Sequence, residues 1–152
     1  MDFTVPDYMQ EAFAAAEMAG RRGEVPIGAV VVHSGLQRIV GRAGNEVEDR
    51  GDATAHAEML AIRGASRMLG QKFLSECDLY VTLEPCPMCA QAIAFARIRR
   101  LYFAAFDPKG GGVENGPRIF EQPTCHHRLE CYGGIQEMRS AELLRDFFAA
   151  RR

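Results

Sequence analysis

Short apolar runs that alternate with helical segments constrain the fold of this 152-residue chain most strongly. Four runs rich in β-branched and aromatic residues predict strands, namely 29–32, 36–40, 78–83 and 100–106. Four segments with helical periodicity predict helices, namely 7–22, 54–69, 87–97 and 136–150. The first two strands form a hairpin around Ser34-Gly35. Because a helix between two strands implies a crossover, this order predicts an α/β fold with helices on both faces of one sheet.

The length and composition indicate a single globular domain that spans residues 1–152. Hydrophobic residues make up 47% of the chain and charged residues 25%. No apolar run approaches the roughly 18 residues that a membrane-spanning helix needs. The first ten residues lack the basic cluster and apolar core of a signal peptide. We therefore expect a cytoplasmic protein with no membrane partner.

The charge is distributed unevenly along the chain. Residues 1–96 carry a net charge of −5 and residues 97–152 a net charge of +3, which together give −2. A basic region on an acidic protein is compatible with a limited set of phosphate contacts. Charge alone, however, favours a solvated helix surface.

Two of the five cysteines, Cys86 and Cys89, lie three residues apart at a predicted helix start. An odd number of cysteines without a secretion signal argues against a disulfide framework. Pro87 suits the first helical position, and the free amides there stabilise a thiolate. Zinc binding and thiol–disulfide exchange both use such a pair. The exchange reaction is the weaker hypothesis, because the pair follows two strands and two helices rather than the first strand of a thioredoxin-like unit.

A zinc site needs further ligands, and His56 is the best candidate. It lies at the start of the helix predicted over 54–69, so the two helix starts can meet at one edge of the sheet. Three protein ligands leave a fourth position for water, as in catalytic zinc sites. Glu58 follows His56 by two residues, about 200° around a regular helix, and is better placed to carry protons than to bind the same ion.

The motifs in TAHAE (54–58) and LYVTLEPCPMC (79–89) resemble the known signature of zinc-dependent nucleobase deaminases, His-x-Glu followed by Pro-Cys-x-x-Cys. More narrowly, the chain resembles the bacterial tRNA-specific adenosine deaminases of the cytidine/deoxycytidylate deaminase superfamily. The segments that carry this narrower resemblance are GEVPIGAV (23–30), Asn45, DPKGG (107–111), HHR (126–128) and LLRDFF (143–148). Two features depart from it: Gln91 stands where the family usually has glycine, and residues 112–122 differ from the commoner Gly-Ser-rich version.

The resemblance implies a fold, a reaction and an assembly. The fold is a three-layer α/β/α cytidine deaminase-like fold, with a central mixed sheet of about five strands covered by helices on both faces. The reaction is zinc-dependent hydrolysis of the wobble adenosine to inosine in the anticodon of an arginine tRNA. Each subunit holds one Zn²⁺ through His56, Cys86 and Cys89, and Glu58 carries the protons. The family is homodimeric and binds the tRNA anticodon stem-loop across both subunits.

The resemblance also implies a set of substrate-binding residues, namely Asn45, Ala57, Asp107, Lys109, Arg128 and Phe148. Asn45 matches the residue whose amide binds the flipped base. The loop that contains Asp107 and Lys109 matches one that meets the anticodon, where a carboxylate can accept a hydrogen bond from a ribose 2′-hydroxyl. Phe147 or Phe148 faces a flanking base. Three arginines are candidate phosphate contacts, namely Arg128, Arg151 and Arg152.

Two alternatives remain at this point. A guanine, cytosine or nucleoside deaminase that acts on free small molecules would share the zinc motifs. The DPKGG and HHR segments and the basic C-terminal helix favour RNA over that alternative. A non-catalytic zinc-binding interaction module would need a fourth protein ligand, and it would give Glu58 no role.

Overall fold

A mixed five-stranded sheet lies at the centre of the computed structural model, which describes residues 7–151. The helices are α1 (Tyr8–Arg21), α2 (Val47–Arg50), α3 (Ala57–Leu69), α4 (Pro87–Phe95) and α5 (Glu137–Ala149), with a 3-10 turn at Ile119–Glu121. The strands are β1 (Gly28–His33), β2 (Arg38–Gly44), β3 (Cys77–Leu83), β4 (Arg100–Ala105) and β5 (Glu130–Tyr132). The spatial order is β2-β1-β3-β4-β5. Strand β1 is antiparallel to both of its neighbours, whereas β3, β4 and β5 are parallel.

Strand β1 shows why the sheet needs helices on both faces. Successive strand side chains point to opposite faces, and Val30 and Val32 join one buried cluster while Ala29 and Val31 join the other. Helices α1 and α5 cover the face of Val30, and α3 and α4 cover the face of Val31. The predicted three-layer α/β/α fold with a mixed sheet of five strands is therefore confirmed. Within residues 7–151, no helix has the length and apolar character that a membrane span requires.

The long elements follow the sequence prediction, whereas their boundaries and the shortest elements depart from it. Helix α3 begins three residues later than predicted because the Asp52 carboxylate accepts hydrogen bonds from the N–H and hydroxyl of Thr54, and His56 keeps an extended backbone. Strand β5 was not predicted, because none of its three residues is fully buried and they show no alternation of apolar and polar side chains. It is held by backbone pairing with β4. Helix α2 was also missed. It has no buried residue, and two of its N–H groups donate to the distant Glu24 carboxylate.

The close approach of α1 to the sheet depends on glycine in the strand. A Cβ atom added to Gly28 would lie 2.0 Å from the carbonyl oxygen of Ala12 and 2.5 Å from the amide nitrogen of Ala16. Both of these are backbone atoms, which cannot move without displacing the helix. Gly41 meets α3 in the same way, with the Ala61 carbonyl oxygen 2.2 Å from the added Cβ. The two helices nearest the hairpin are therefore held against strand backbone rather than against strand side chains.

A pair of glycine-to-alanine substitutions tests this packing. Gly28→Ala should lower the free energy of unfolding by about 1–3 kcal/mol or more, because α1 must shift. Gly64→Ala is the matched control, since Gly64 lies within α3 and its added Cβ meets only the Gly41 Cα at 3.9 Å. It should stabilise the protein by about 0.5–1 kcal/mol through helix propensity. Urea denaturation measures both changes, and wild-type stability for Gly28→Ala would contradict the packing argument.

Candidate active site

Three potential metal ligands meet where α3 and α4 begin. His56 immediately precedes α3, Cys86 immediately precedes α4, and Cys89 lies in the first turn of α4. The Nδ1 atom of His56 lies 3.6 Å from the Sγ atom of Cys86 and 3.5 Å from that of Cys89. The three ligand atoms all lie within 4.8 Å of one another. The structure thus brings together the residues that the sequence motifs single out.

The backbone at both helix starts presents these side chains in the same way. Cys86 and His56 each occupy the N-cap position in an extended conformation, and neither side chain caps its own helix. Pro87 occupies the first helical position of α4, where its missing N–H removes no helical hydrogen bond. The ligand side chains are therefore free to point at one another instead of at backbone amides.

The donor atoms of the cluster suit a metal ion, and the hydrogen bonds among them shift their pKa values strongly. Hydrogen bonding with the Cys89 thiol lowers the pKa of Cys86 to about 4, so Cys86 is a thiolate at neutral pH. The same hydrogen bond, together with burial, raises the pKa of Cys89. The pKa of His56 is raised, mainly because its side chain is hydrogen-bonded to Cys86. Two sulfur atoms and one imidazole nitrogen form a donor set that suits Zn²⁺, and three ligands leave one coordination position open.

Among the residues from 7 to 151, this is the one grouping of three or more histidines, cysteines and acidic residues that can hold a metal ion. A fourth ligand from that part of the chain is therefore missing from the cluster. This arrangement matches catalytic zinc sites better than structural ones, which are closed by four protein ligands.

Glu58 lies beside the cluster in the first turn of α3, and only 4% of its surface is exposed. Burial raises the pKa of this carboxyl group to about 7, and the neighbouring Cys86 thiolate adds to the rise. A carboxyl group that titrates near neutral pH can both accept and donate a proton under physiological conditions.

Asn45 fixes the start of α3 from outside the helix. Its side-chain oxygen accepts a hydrogen bond from the Ala57 N–H at 2.8 Å, and both residues are buried. Because His56 does not cap the helix itself, Asn45 supplies the missing acceptor. Ala57 therefore takes part in the site through Asn45, since its own N–H is already engaged.

A cavity of about 620 Å³ opens beside this cluster and is large enough for a small ligand. Its lining includes Asn45 and His56 on one side and Phe147, Phe148 and Arg151 of the C-terminal segment on the other. The two phenylalanine rings meet edge to face, 5.3 Å apart, and the Arg151 guanidinium lies 3.4 Å from the centre of the Phe147 ring. The C-terminal segment thus supplies an aromatic and cationic wall.

The loop after β4 lies close to the same wall. Asp107 and Phe148 line a second cavity of about 380 Å³. The Asp107 carboxylate accepts hydrogen bonds from the N–H groups of Lys109 and Gly110, which fixes the turn. The Lys109 side chain is exposed.

The structure does not bring Arg128 to the site within this subunit. Arg128 is exposed and precedes β5, whose parallel pairing with β4 starts at Arg100 and Glu130. It therefore lies at the opposite end of the strands from the end where Cys86 and Asp107 follow β3 and β4. Arg152 lies outside the described residues.

Glu84, which the sequence motifs did not single out, lies two residues before Cys86. It follows β3 directly, and only 2% of its surface is exposed. Burial alone would raise the pKa of this carboxyl group, but hydrogen bonds from the Asp107 N–H and from Asn115 outweigh burial and hold the pKa below its usual value. The available signal was an acidic residue at the end of an apolar strand, which implies a buried charge that needs partners.

The chain is similar in sequence to known proteins. Residues 4–105 match the model of the cytidine and deoxycytidylate deaminase zinc-binding region. A tRNA-specific adenosine deaminase of Agrobacterium fabrum is 57% identical over 145 residues, which cover 95% of this chain and 94% of that protein. The similarity thus extends well beyond the metal motifs.

Two solved structures are also similar. One comes from a study of A-to-I editing by tRNA:A34 deaminases at the wobble position of transfer RNA. It is 56% identical, with a TM-score of 0.87, and the match covers 90% of this chain and 98% of that one. A guanine deaminase from Bacillus subtilis is 30% identical, with a TM-score of 0.64 over 98% of this chain and 94% of its own.

The three clustered side chains predict how ligand substitutions change the zinc content of the protein. His56→Ala and Cys86→Ala should each lose most of the bound zinc, because removal of one ligand leaves only two. Cys131→Ala is the matched control, since its thiol is partly buried and lies outside the cluster. It should keep the wild-type zinc content in a mass-spectrometric metal analysis of purified protein. Full zinc occupancy in His56→Ala would contradict the ligand set.

Proposed function

Because the chain belongs to the cytidine and deoxycytidylate deaminase family, and within it to the tRNA-specific adenosine deaminases, we propose that it hydrolyses the wobble adenosine of tRNA to inosine. The arginine tRNA is the expected substrate, and residues 1–152 act as one zinc-dependent deaminase domain. The observation that carries the proposal is the His56–Cys86–Cys89 cluster, with the buried Glu58 beside it and the 620 Å³ cavity in front of it. We propose that it acts in the cytoplasm.

His56, Cys86 and Cys89 are the proposed ligands of one Zn²⁺ ion per subunit. Zinc, when bound there, supplies an activated water for hydrolysis of the purine C–N bond. The ligands' own contribution is to hold their donor atoms close together before the metal arrives, since the helix starts already place them within 4.8 Å. This arrangement reduces the conformational entropy that is lost when the metal binds.

Glu58 is the proposed proton carrier. With a pKa raised to about 7, the carboxylate can accept a proton from the attacking water and donate it to a ring nitrogen. A second transfer delivers a proton to the departing amino group, so that water and adenosine become inosine and ammonia. Burial serves this role, because an exposed glutamate with its ordinary pKa would be a poor acid at neutral pH.

Asn45 and the C-terminal wall are the proposed binding groups for the flipped base and its neighbour. Asn45 lines the cavity and is held rigid by its bond to Ala57. Phe148 offers an exposed ring against which a flanking base can stack. Asp107 and Lys109 lie on the adjoining loop, where the carboxylate can meet a ribose 2′-hydroxyl and the ammonium group a phosphate. Arg128 would reach RNA only from a different part of the assembly.

We propose a homodimer, formed through the surface at the end of α4. Phe95 is 72% exposed there and shares a cavity of about 450 Å³ with Phe73, Ala94 and Gln91. Exposed apolar side chains rimmed by polar ones, here Arg97, His126 and His127, are typical of contact sites. Gln91 thus belongs to this surface rather than to the metal cluster, so its departure from the family pattern would affect the subunit contact. A chain that sediments as a monomer at micromolar concentration would contradict the dimer.

Incubation with an unmodified arginine-tRNA anticodon stem-loop tests the proposed activity. Sequencing should detect inosine at the wobble position, and ammonia release should match it in amount. Free adenosine, cytidine and guanine are assayed alongside, because the similarity to a guanine deaminase makes a small-molecule activity the principal alternative. Ammonia from guanine without inosine in the RNA would overturn the proposal in favour of that alternative.

The same assay tests the role of Glu58. Glu58→Ala should keep its zinc but lose about 10²–10⁴-fold in turnover, the range typical of a lost general acid–base. Glu76→Ala is the control, since its side chain is 76% exposed and precedes β3 at the far end of the sheet. It should behave as the wild type. Near-normal inosine formation by Glu58→Ala would exclude Glu58 as the proton carrier.

A further inference from the structure

We propose that Glu84 is a positioning residue that holds the loop 107–115 in the conformation that meets the RNA. The inference rests on the proposed function, because it assumes that Asp107 and Lys109 contact the anticodon nucleotides. Its structural basis is independent of that assumption. It consists of the contacts that a single buried carboxylate makes between the metal-binding turn and the loop.

The Glu84 carboxylate lies between these two parts of the molecule. The residue stands between the end of β3 and the Pro85-Cys86 pair, and its own N–H donates to the Ala105 carbonyl oxygen at 2.8 Å. Its side chain points away from the sheet into the loop that follows β4. Within residues 7–151 it forms no ion pair with lysine or arginine. The negative charge is therefore compensated by hydrogen bonds alone.

The loop supplies five N–H groups to this carboxylate. Oε1 accepts from the Asp107 N–H at 3.0 Å and from the Asn115 side-chain amide at 2.7 Å. Oε2 accepts from the backbone N–H groups of Val113, Glu114 and Asn115 at 3.0–3.1 Å. Hydrogen bonds to a charged acceptor are stronger than neutral ones, and burial removes the competition from water. Both ends of the loop are thus tied to one side chain.

The glycines of the loop allow this close approach. A Cβ atom added to Gly111 would lie 2.3 Å from Oε2 of Glu84. A Cβ atom added to Gly112 would lie 2.6 Å from the Pro87 backbone, and the Gly112 N–H donates to the Pro85 carbonyl oxygen at 2.8 Å. The loop therefore packs its backbone directly against the turn that carries Cys86. Neither contact is available to a loop with side chains at these two positions.

The orientation of Asp107 depends on this arrangement. Its N–H is held by Glu84, while its own carboxylate accepts from the Lys109 and Gly110 N–H groups. A displaced Asp107 backbone would carry the whole turn with it. An apolar side chain of the same size could fill the space at position 84 equally well. A carboxylate, in contrast, specifies one loop conformation through the directions of its hydrogen bonds.

Glu84→Gln tests the inference with nearly the same side-chain volume. The glutamine NH2 group would face N–H donors, so the loop should lose its fixed conformation. The KM for the stem-loop should rise about tenfold or more, while kcat at saturating RNA stays within about threefold and zinc content is unchanged. Asn115→Ala removes one donor and keeps the carboxylate, and should give a smaller rise of the same kind. Glu121→Gln is the matched control, because within residues 7–151 its exposed side chain pairs with Arg118 alone.

Limited proteolysis provides a readout that does not depend on activity. Trypsin should cleave after Lys109 faster in folded Glu84→Gln than in the wild type or in Glu121→Gln, with other sites unaffected. A general loss of stability would accelerate cleavage at many sites instead. If Glu84→Gln does not fold, Asn115→Ala carries the same two measurements.

A double substitution checks that Glu84 acts through Asp107. Asp107→Ala should raise the KM less in the Glu84→Gln background than in the wild type, because the orientation of Asp107 is already lost. Unchanged KM and unchanged cleavage after Lys109 in Glu84→Gln would overturn the inference, as would loss of zinc with a fall in kcat alone. Absence of inosine with the wild-type enzyme would instead refute the proposed function, and the proteolysis would still test the contact between Glu84 and the loop.

Discussion

The rest of this structure depends on the close approach of three potential metal ligands from the starts of two separate helices. His56 belongs to the start of α3, while Cys86 and Cys89 belong to the start of α4. The two helices can begin side by side only if they pack on the same face of the sheet. Gly41 and the alanines of α3 permit the close packing that keeps α3 in place. The metal cluster therefore depends on backbone contacts elsewhere in the fold.

Three glutamates are buried in the described part of the chain, and the groups around them differ. Glu24 accepts from two N–H groups of α2 and Glu84 from five N–H groups of the loop after β4, so each binds a surface segment to the core. For Glu58, in contrast, burial dominates and raises the pKa to about 7. The pKa of Glu84 is lowered instead, because the hydrogen bonds that fix its loop also stabilise the charged carboxylate. Hydrogen-bond supply thus separates a carboxylate that organises structure from one that is suited to proton transfer.

The long strands and helices were predictable because their apolar periodicity reflects burial on one or both faces. The elements that were not predicted share a physical cause. Strand β5 and helix α2 bury almost no side chains of their own, and they are held by backbone hydrogen bonds to distant partners. The start of α3 was misplaced because Asp52 holds Thr54 in a turn before the helix, and because Asn45, twelve residues before Ala57, provides the acceptor that a local capping residue would otherwise supply. Local sequence carries little information about contacts of this kind.

The sequence by itself predicted the chemistry of the candidate site, since His56, Glu58, Cys86 and Cys89 match the signature of zinc-dependent nucleobase deaminases. It also determined the order of the layers, because strand and helix periods follow directly from which residues need burial. Only the tertiary structure decided which loops adjoin the cluster and which residues remain apart. Arg128 is separated from the site by the length of the strands, whereas Glu84 is joined to Asp107 and Asn115 across more than twenty residues of chain. Such contacts depend on strand order and backbone direction, which residue patterns within a single segment do not encode.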